Sequence, residues 1–306
     1  MNHQPLLIVN ADDFGMTSGV SHGVLDAHRR GIVTSTSVLA NGRVLTDFVP
    51  HLLDTPTLGL GAHLAVVGED PPVLSAAEIP SLVGRDGHFA LTWKAFLARA
   101  LTGRVDPDHV RLEFTAQLDR LLGFGLPIAH LDAHQHLQLW PSIAKILLTL
   151  GTQSRIGAIR VPRARPTTIT GVGVSALARR LAHQADELNI CYTQDSVGIA
   201  TAGHIDGRVL HEFLARTAQH RPTSIELTVH PGRADDPDRA RYRWGYEWEQ
   251  ELAALTAPGV KAAVERAGLR LGTYEDLSTD VRLDSFQPVA PATGCRDSKP
   301  GPSVPN

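Results

Sequence analysis

Short apolar runs that end in an acid or a histidine, with helical stretches between them, constrain this chain more than any other feature. The first is Leu6 to Gly15, LLIVNADDFG, in which a buried-strand pattern runs straight into two adjacent carboxylates, Asp12 and Asp13. Further runs are expected as strands at 32–39, 58–64, 128–134, 158–161, 224–229 and 269–272, with a short one near 190–193. Helical periods fill the gaps at 18–30, 44–53, 92–102, 107–123, 141–150, 175–188, 207–220 and 247–267, the last broken at Pro258-Gly259. Strands alternating with helices of this length predict a parallel sheet. About seven or eight such units over ~270 residues is the size of a closed β/α barrel. An open doubly wound sheet fits less well, because no GxGxxG follows the first strand.

The expected architecture is therefore α/β: a TIM-like, irregular β/α barrel forming one domain over 1–283. Residues 66–91 read as an inserted loop over the strand ends, and the aperiodic stretch 284–306 as a disordered tail. The formal net charge is −3 and no basic stripe is present, which argues against a nucleic-acid partner. Cys191 and Cys295 have no metal or redox spacing, which suits a reducing compartment and a cytoplasmic location. Neither a signal peptide nor an apolar stretch approaching ~20 residues is visible, so no transmembrane segment is expected.

The strand ends carry the chemistry. The third strand delivers His63, the fourth contains His130-Leu131-Asp132-Ala133-His134-Gln135-His136, and a later one ends in Glu226-Leu227-Thr228-Val229-His230. Alternate residues of an extended chain share a face, so His130, Asp132, His134 and His136 would line one side if the strand ran that far. Three histidines and an aspartate together suit a metal or proton-handling site better than a core. Asp13, His63 and His134 would supply a His2Asp set with open positions for water and substrate, leaving Asp12 to accept a proton. Taken singly, the acidic pair also fits a helix cap, and His63 a plain structural histidine.

NADDFG at 10–15, GAHL at 61–64, HLDAHQH at 130–136, IRVP at 159–162, ELTVHPG at 226–232 and TYEDL at 273–277 occur in order. In these pieces the chain resembles the YdjC-like carbohydrate deacetylase family, which includes chitooligosaccharide and hopanoid-associated deacetylases. The resemblance implies a barrel-like fold and metal-dependent hydrolysis of the N-acetyl group of an N-acetylglucosamine-type sugar, as an oligosaccharide or glycolipid. It maps the metal ligands to Asp13, His63 and His134, with His136 as the other choice for the third. The general base maps to Asp12 and the general acid to His230. The implied cofactor is a divalent ion, Mg2+ or Zn2+, with Mn2+ or Co2+ as further choices. Relatives often carry a histidine where this chain has Gln138, and a homodimer is in keeping with them. His136, Arg160, Asp195 and Trp244 are the expected substrate contacts. Trp244 belongs to a run of aromatics, Tyr242, Trp244, Tyr246 and Trp248, that could equally anchor the core. The competing functions are a metal-dependent phosphoesterase or other amidohydrolase, and a metal- or sugar-binding protein without turnover.

Overall fold

The computed structural model describes residues 4–277, so the tail expected from 284 lies outside the described residues. Eight parallel strands form one curled sheet: β1 (Leu6–Phe14), β2 (Ser35–Val38), β3 (Gly59–Leu64), β4 (Ile128–Ala133), β5 (Ala158–Ile159), β6 (Asp195–Val197), β7 (Ser224–Val229) and β8 (Arg270–Leu271). The order is β5-β4-β3-β2-β1-β7-β6, with β8 beside β1. β7 pairs with one edge of β1 from Leu6 to Ala11, while the other edge takes β8 at Leu6 and Leu7 and β2 from Asn10. The two ends of the sheet approach through one segment. Cys191 bridges to Ala158 of β5, and Asp195 then begins the pairing with β7. The result is the expected β/α barrel, TIM-like and irregular at this seam.

Helices α1 (Ser18–Arg30), α2 (Leu45–Leu53), α3 (Trp93–Leu101), α4 (Pro107–Gly123), α5 (Pro141–Ser154), α6 (Ile169–Glu187), α7 (Gly207–His220), α8 (Trp248–Leu255) and α9 (Val260–Arg266) connect the strands. Among the described residues, no helix is long and apolar enough to cross a membrane. Two elements depart from their expected places. α6 begins before Ser175 because the Thr168 hydroxyl accepts from the Gly171 amide at 3.0 Å, a cap that starts the helix within a stretch of glycines and β-branched residues. The strand expected at 190–193 shrinks to the Cys191 bridge, and its pairing moves on to β6.

Strand alternation explains how the barrel is filled. Leu7, Val9 and Ala11 of β1 face the helical shell, whereas Leu6 and Ile8 pack with Ala158, Tyr274 and Leu277 in a small apolar floor. Above this floor the inward positions turn polar: Asn10 and Asp12 on β1, His130 and Asp132 on β4, and Glu226 on β7, each 3% exposed or less. The His130 ring stacks on Tyr274 with centroids 3.8 Å apart. It also lies where Gly61 lacks a side chain, for a Cβ there would stand 2.2 Å from two of its ring atoms. Gly61→Ala is thus expected to overpack the barrel and cost about 2 kcal/mol, read as a lower unfolding midpoint in denaturant.

The loop at 66–91 is tied down by α4. Gln117 brackets the backbone of Ala65 through its amide N–H and its carbonyl, at 2.8 and 2.6 Å. The buried Glu113 carboxylate accepts the amides of Val73 and Leu74 at 2.8 and 3.0 Å. These bonds fix the segment carrying Glu69 and Asp70 over the C-terminal ends of the strands.

Candidate active site

Asp12 and Asp13 are neighbours on a strand and would ordinarily point to opposite faces. The chain takes a left-handed φ of 67° at Asp13, and the register against β2 slips between Ala11 and Phe14. That local distortion, costly for a non-glycine residue, brings both carboxylates to the inside. His63 is the penultimate residue of β3 and His134 follows directly on β4, so these side chains meet at the C-terminal mouth of the sheet.

Asp13 Oδ1, His63 Nε2 and His134 Nδ1 form a triangle with edges of 3.1, 3.2 and 3.5 Å. Ligand atoms held about 2.0–2.2 Å from one divalent ion stand about 2.8–3.6 Å apart at octahedral or tetrahedral angles. Asp13 Oδ1 is buried and accepts no hydrogen bond. Asp132 Oδ1 lies 2.7 Å from His63 Nδ1. An ionised carboxylate can only accept, so His63 Nδ1 carries the proton and Nε2 faces the triangle. The donor set and the orphaned oxygen both fit a divalent cation.

Burial alone would raise the Asp13 carboxyl, but His134, His63 and His230 hold it well below the usual carboxylate range. Burial works against charge on His63, yet Asp132, Asp12 and Asp13 push it up to about 9. A second group, Asp12, His63 and Asp132, also has its ligand atoms close together. There a resident cation already supplies the charge, namely Arg160.

Arg160 is 1% exposed and lies behind Asp12. Its Nη1 and Nη2 grip the two Asp12 oxygens at 2.8 and 2.7 Å, Nη1 also reaches Asp132 Oδ2 at 2.6 Å, and Nε meets Glu226 Oε1 at 2.8 Å. Every guanidinium nitrogen of Arg160, expected at the substrate, is engaged with buried carboxylates. Asn10 adds a bond to Asp12 Oδ1 at 2.8 Å. Against the cost of burial, Arg160 keeps the Asp12 carboxyl below its ordinary range, ionised and fixed in orientation.

The strand does not carry its alternation as far as His136. β4 ends at Ala133, and Gln135 and His136 take left-handed φ values of 53° and 57° inside a short helical turn. His136 is nonetheless brought to the site by that turn. Burial foremost pushes it down to about 4, and the charges of Arg160, Asp12 and Asp132 all bear on it. His130, expected on the same face, sits lower in the barrel and is held neutral by burial, pushed down to about 3. Gln138 is buried and accepts the Ala133 amide at 3.2 Å, bracing the turn.

His230 follows β7, and its backbone N–H donates to the buried Glu251 carboxylate. Its Nδ1 is sealed without a partner. The aromatic run lies across the mouth: Trp244 is 5.4 Å from His134, and Tyr246 is 4.8 Å from His230, centroid to centroid. The Trp244 indole donates to Glu69 at 2.9 Å and the Tyr242 hydroxyl to Asp70 at 3.0 Å, so this run and the inserted loop lock together. Tyr242 and Trp248 are buried as core anchors, whereas Trp244 is half-buried. Asp195 accepts the Ser196 amide at 2.8 Å, and its charge bears on Arg216.

Glu226, Glu251, Asn10 and Ser37, whose hydroxyl donates to Asp132 Oδ2 at 2.7 Å, went unassigned in the sequence. Glu226 had a signal, since it shares strand parity with Thr228 and His230; Glu251 had none, being one acid in a helix.

The sequence profile of a family described as "YdjC-like protein" matches residues 6–266. A "chitooligosaccharide deacetylase" of Proteus mirabilis is 32% identical over 277 residues, covering 89% of this chain and 98% of its own. A "carbohydrate deacetylase" of Brevibacillus brevis is 28% identical over 273 residues, covering 89% and 99%. Among solved structures, a protein of Enterococcus faecalis named for cellobiose-phosphate cleavage superposes with a TM-score of 0.75 at 24% identity, covering 90% of this chain and 99% of its own.

Proposed function

The chain belongs to the YdjC-like family, and on that premise we propose that it is a carbohydrate deacetylase that hydrolyses the N-acetyl group of an N-acetylglucosamine-type sugar. The observation that carries this reading is the Asp13–His63–His134 triangle, with Asp12 adjoining Asp13 in the chain and the charge of His230 bearing on Asp13.

Asp13, His63 and His134 would hold a divalent cation. Such an ion polarises an amide carbonyl and acidifies a water, which lets a carboxylate as weakly basic as Asp12 serve as the proton acceptor. The water oxygen adds to the acetyl carbon and its proton passes to Asp12. Asp12 Oδ2 takes one bond from Arg160, which leaves a lone pair free for that proton. The C–N bond then breaks as the nitrogen takes a proton from His230, giving acetate and the free amine. An amide anion is far too basic to leave unprotonated, and an imidazole titrates near neutral pH. Arg160 aims Asp12. Trp244 presents a fixed aromatic face next to His134 for a sugar ring.

A phosphoesterase would want free cationic groups at the triangle, and Arg160 is already engaged with three carboxylates. The test is acetate release from N-acetylglucosamine, diacetylchitobiose and a phosphorylated N-acetylglucosamine, with p-nitrophenyl phosphate as the competing substrate. Acetate from any of the sugars supports the reading; phosphate release alone reverses it. Trp244→Ala should raise KM for diacetylchitobiose by about tenfold, in line with roughly 1–1.5 kcal/mol for an aromatic contact, and steady-state kinetics will check it.

A further inference from the structure

Tyr246 has a place in the site that neither its sequence position nor the roles above account for. Rings run in a row across the mouth, with centroid distances of 5.4 Å from His134 to Trp244, 5.4 Å from Trp244 to Tyr246 and 4.8 Å from Tyr246 to His230. Tyr246 therefore stands between Trp244, which packs on the candidate ligand His134, and the candidate acid His230. Its ring is held from several sides. Trp248 packs at 5.8 Å, and Gly203, with φ of 76°, lies so close that a Cβ there would be 2.2 Å from the ring. The Glu247 amide donates to the Gly203 carbonyl at 2.8 Å and pins the two segments together.

The held ring leaves its hydroxyl unengaged. Among the described residues the Tyr246 hydroxyl has no hydrogen-bond partner, and it is not among the buried polar atoms sealed inside the protein. The charges of Asp13 and Asp12 both bear on it, and burial foremost pushes the phenol up, so it keeps its proton. A protonated O–H on a ring packed 4.8 Å from His230, and within reach of the charges of Asp13 and Asp12, is a donor without an acceptor among the described residues.

We propose that the Tyr246 hydroxyl donates the hydrogen bond that holds the acetyl oxygen while negative charge develops on it. The role rests on the deacetylase reading. A donor fixed in advance at that oxygen stabilises the transition state more than the ground state, so its loss falls on kcat.

The experiment compares wild type with Tyr246→Phe, which keeps the ring and its packing, on diacetylchitobiose and on the same sugar carrying N-trifluoroacetyl groups. Tyr246→Phe is expected to lower kcat for the acetyl substrate by about a hundredfold with KM within about threefold. The loss should shrink for the trifluoroacetyl substrate, whose oxyanion is less basic and depends less on a donor. A purely structural role would give the same loss for both. Wild-type activity with Tyr246→Phe within about twofold of it, or equal losses on both substrates, would overturn this role alone. Wild type that releases no acetate from any sugar would overturn the deacetylase reading, and this role with it.

Discussion

Asp12→Asn is expected to lower acetate release by about a thousandfold, the range of a lost general base, while divalent-ion binding at the triangle persists. The expectation follows from the division of labour between adjacent residues. Asp13 faces the two imidazoles, and Asp12 faces Arg160 and Asn10. Asparagine keeps the shape of the side chain and one acceptor oxygen, but its amide has little basicity. Its NH2 would also meet one Arg160 N–H head on, so a moderate loss of stability accompanies the loss of turnover. Paired metal analysis and acetate assay on one preparation separate the roles. Loss of metal along with activity would move Asp12 into the ligand set.

Arg160→Met should be the most destabilising single change in the barrel. It strands Asp12, Asp132 and Glu226, all nearly fully buried, without their shared cation. Breaking a buried ion pair by removing one partner costs about 3–5 kcal/mol, and here three acids lose theirs. A midpoint about 10 °C lower at pH 7 is expected from that cost. The pH dependence carries a definite sign. In the wild type, Asp12 and Asp132 sit below their ordinary range, because their charged partners outweigh burial. Their contribution is present above the unfolded value near 4 and is lost as pH falls through the folded one. Without Arg160, burial dominates and raises those carboxyls, so the variant gains stability as pH falls and they are protonated. The gap between the two proteins should therefore narrow from pH 7 to pH 5 in thermal melts. A gap that stays constant or widens would mean that Arg160 acts through packing.

The strand pattern made most of the barrel legible because inward and outward positions alternate, and because His63, His134 and His230 all fall at strand ends. What escaped the sequence depends on backbone departures and on long-range pairing. The left-handed Asp13, Gln135 and His136 break the strand period on which a face assignment rests. Arg160 read as a possible substrate contact because the sequence has no way to set it against Asp12, Asp132 and Glu226, which lie far away along the chain. Glu251 lies on α8, where nothing local marks an acid that will meet the His230 amide. The aromatic run was visible, but which rings are anchors and which face the mouth was decided by Asp70 and Glu69 on another loop.

The central claim, a cation held by Asp13, His63 and His134 at the seat of amide hydrolysis, is tested most directly by one titration. Protein stripped of metal would be titrated with zinc and, separately, with magnesium, manganese and cobalt, following bound ion and acetate release from diacetylchitobiose together. The account predicts one high-affinity equivalent for at least one of these ions, acetate release that rises with its occupancy, and loss of both in His134→Ala. Acetate release that persists in a chelator, or tight binding that survives His134→Ala unchanged, would contradict it.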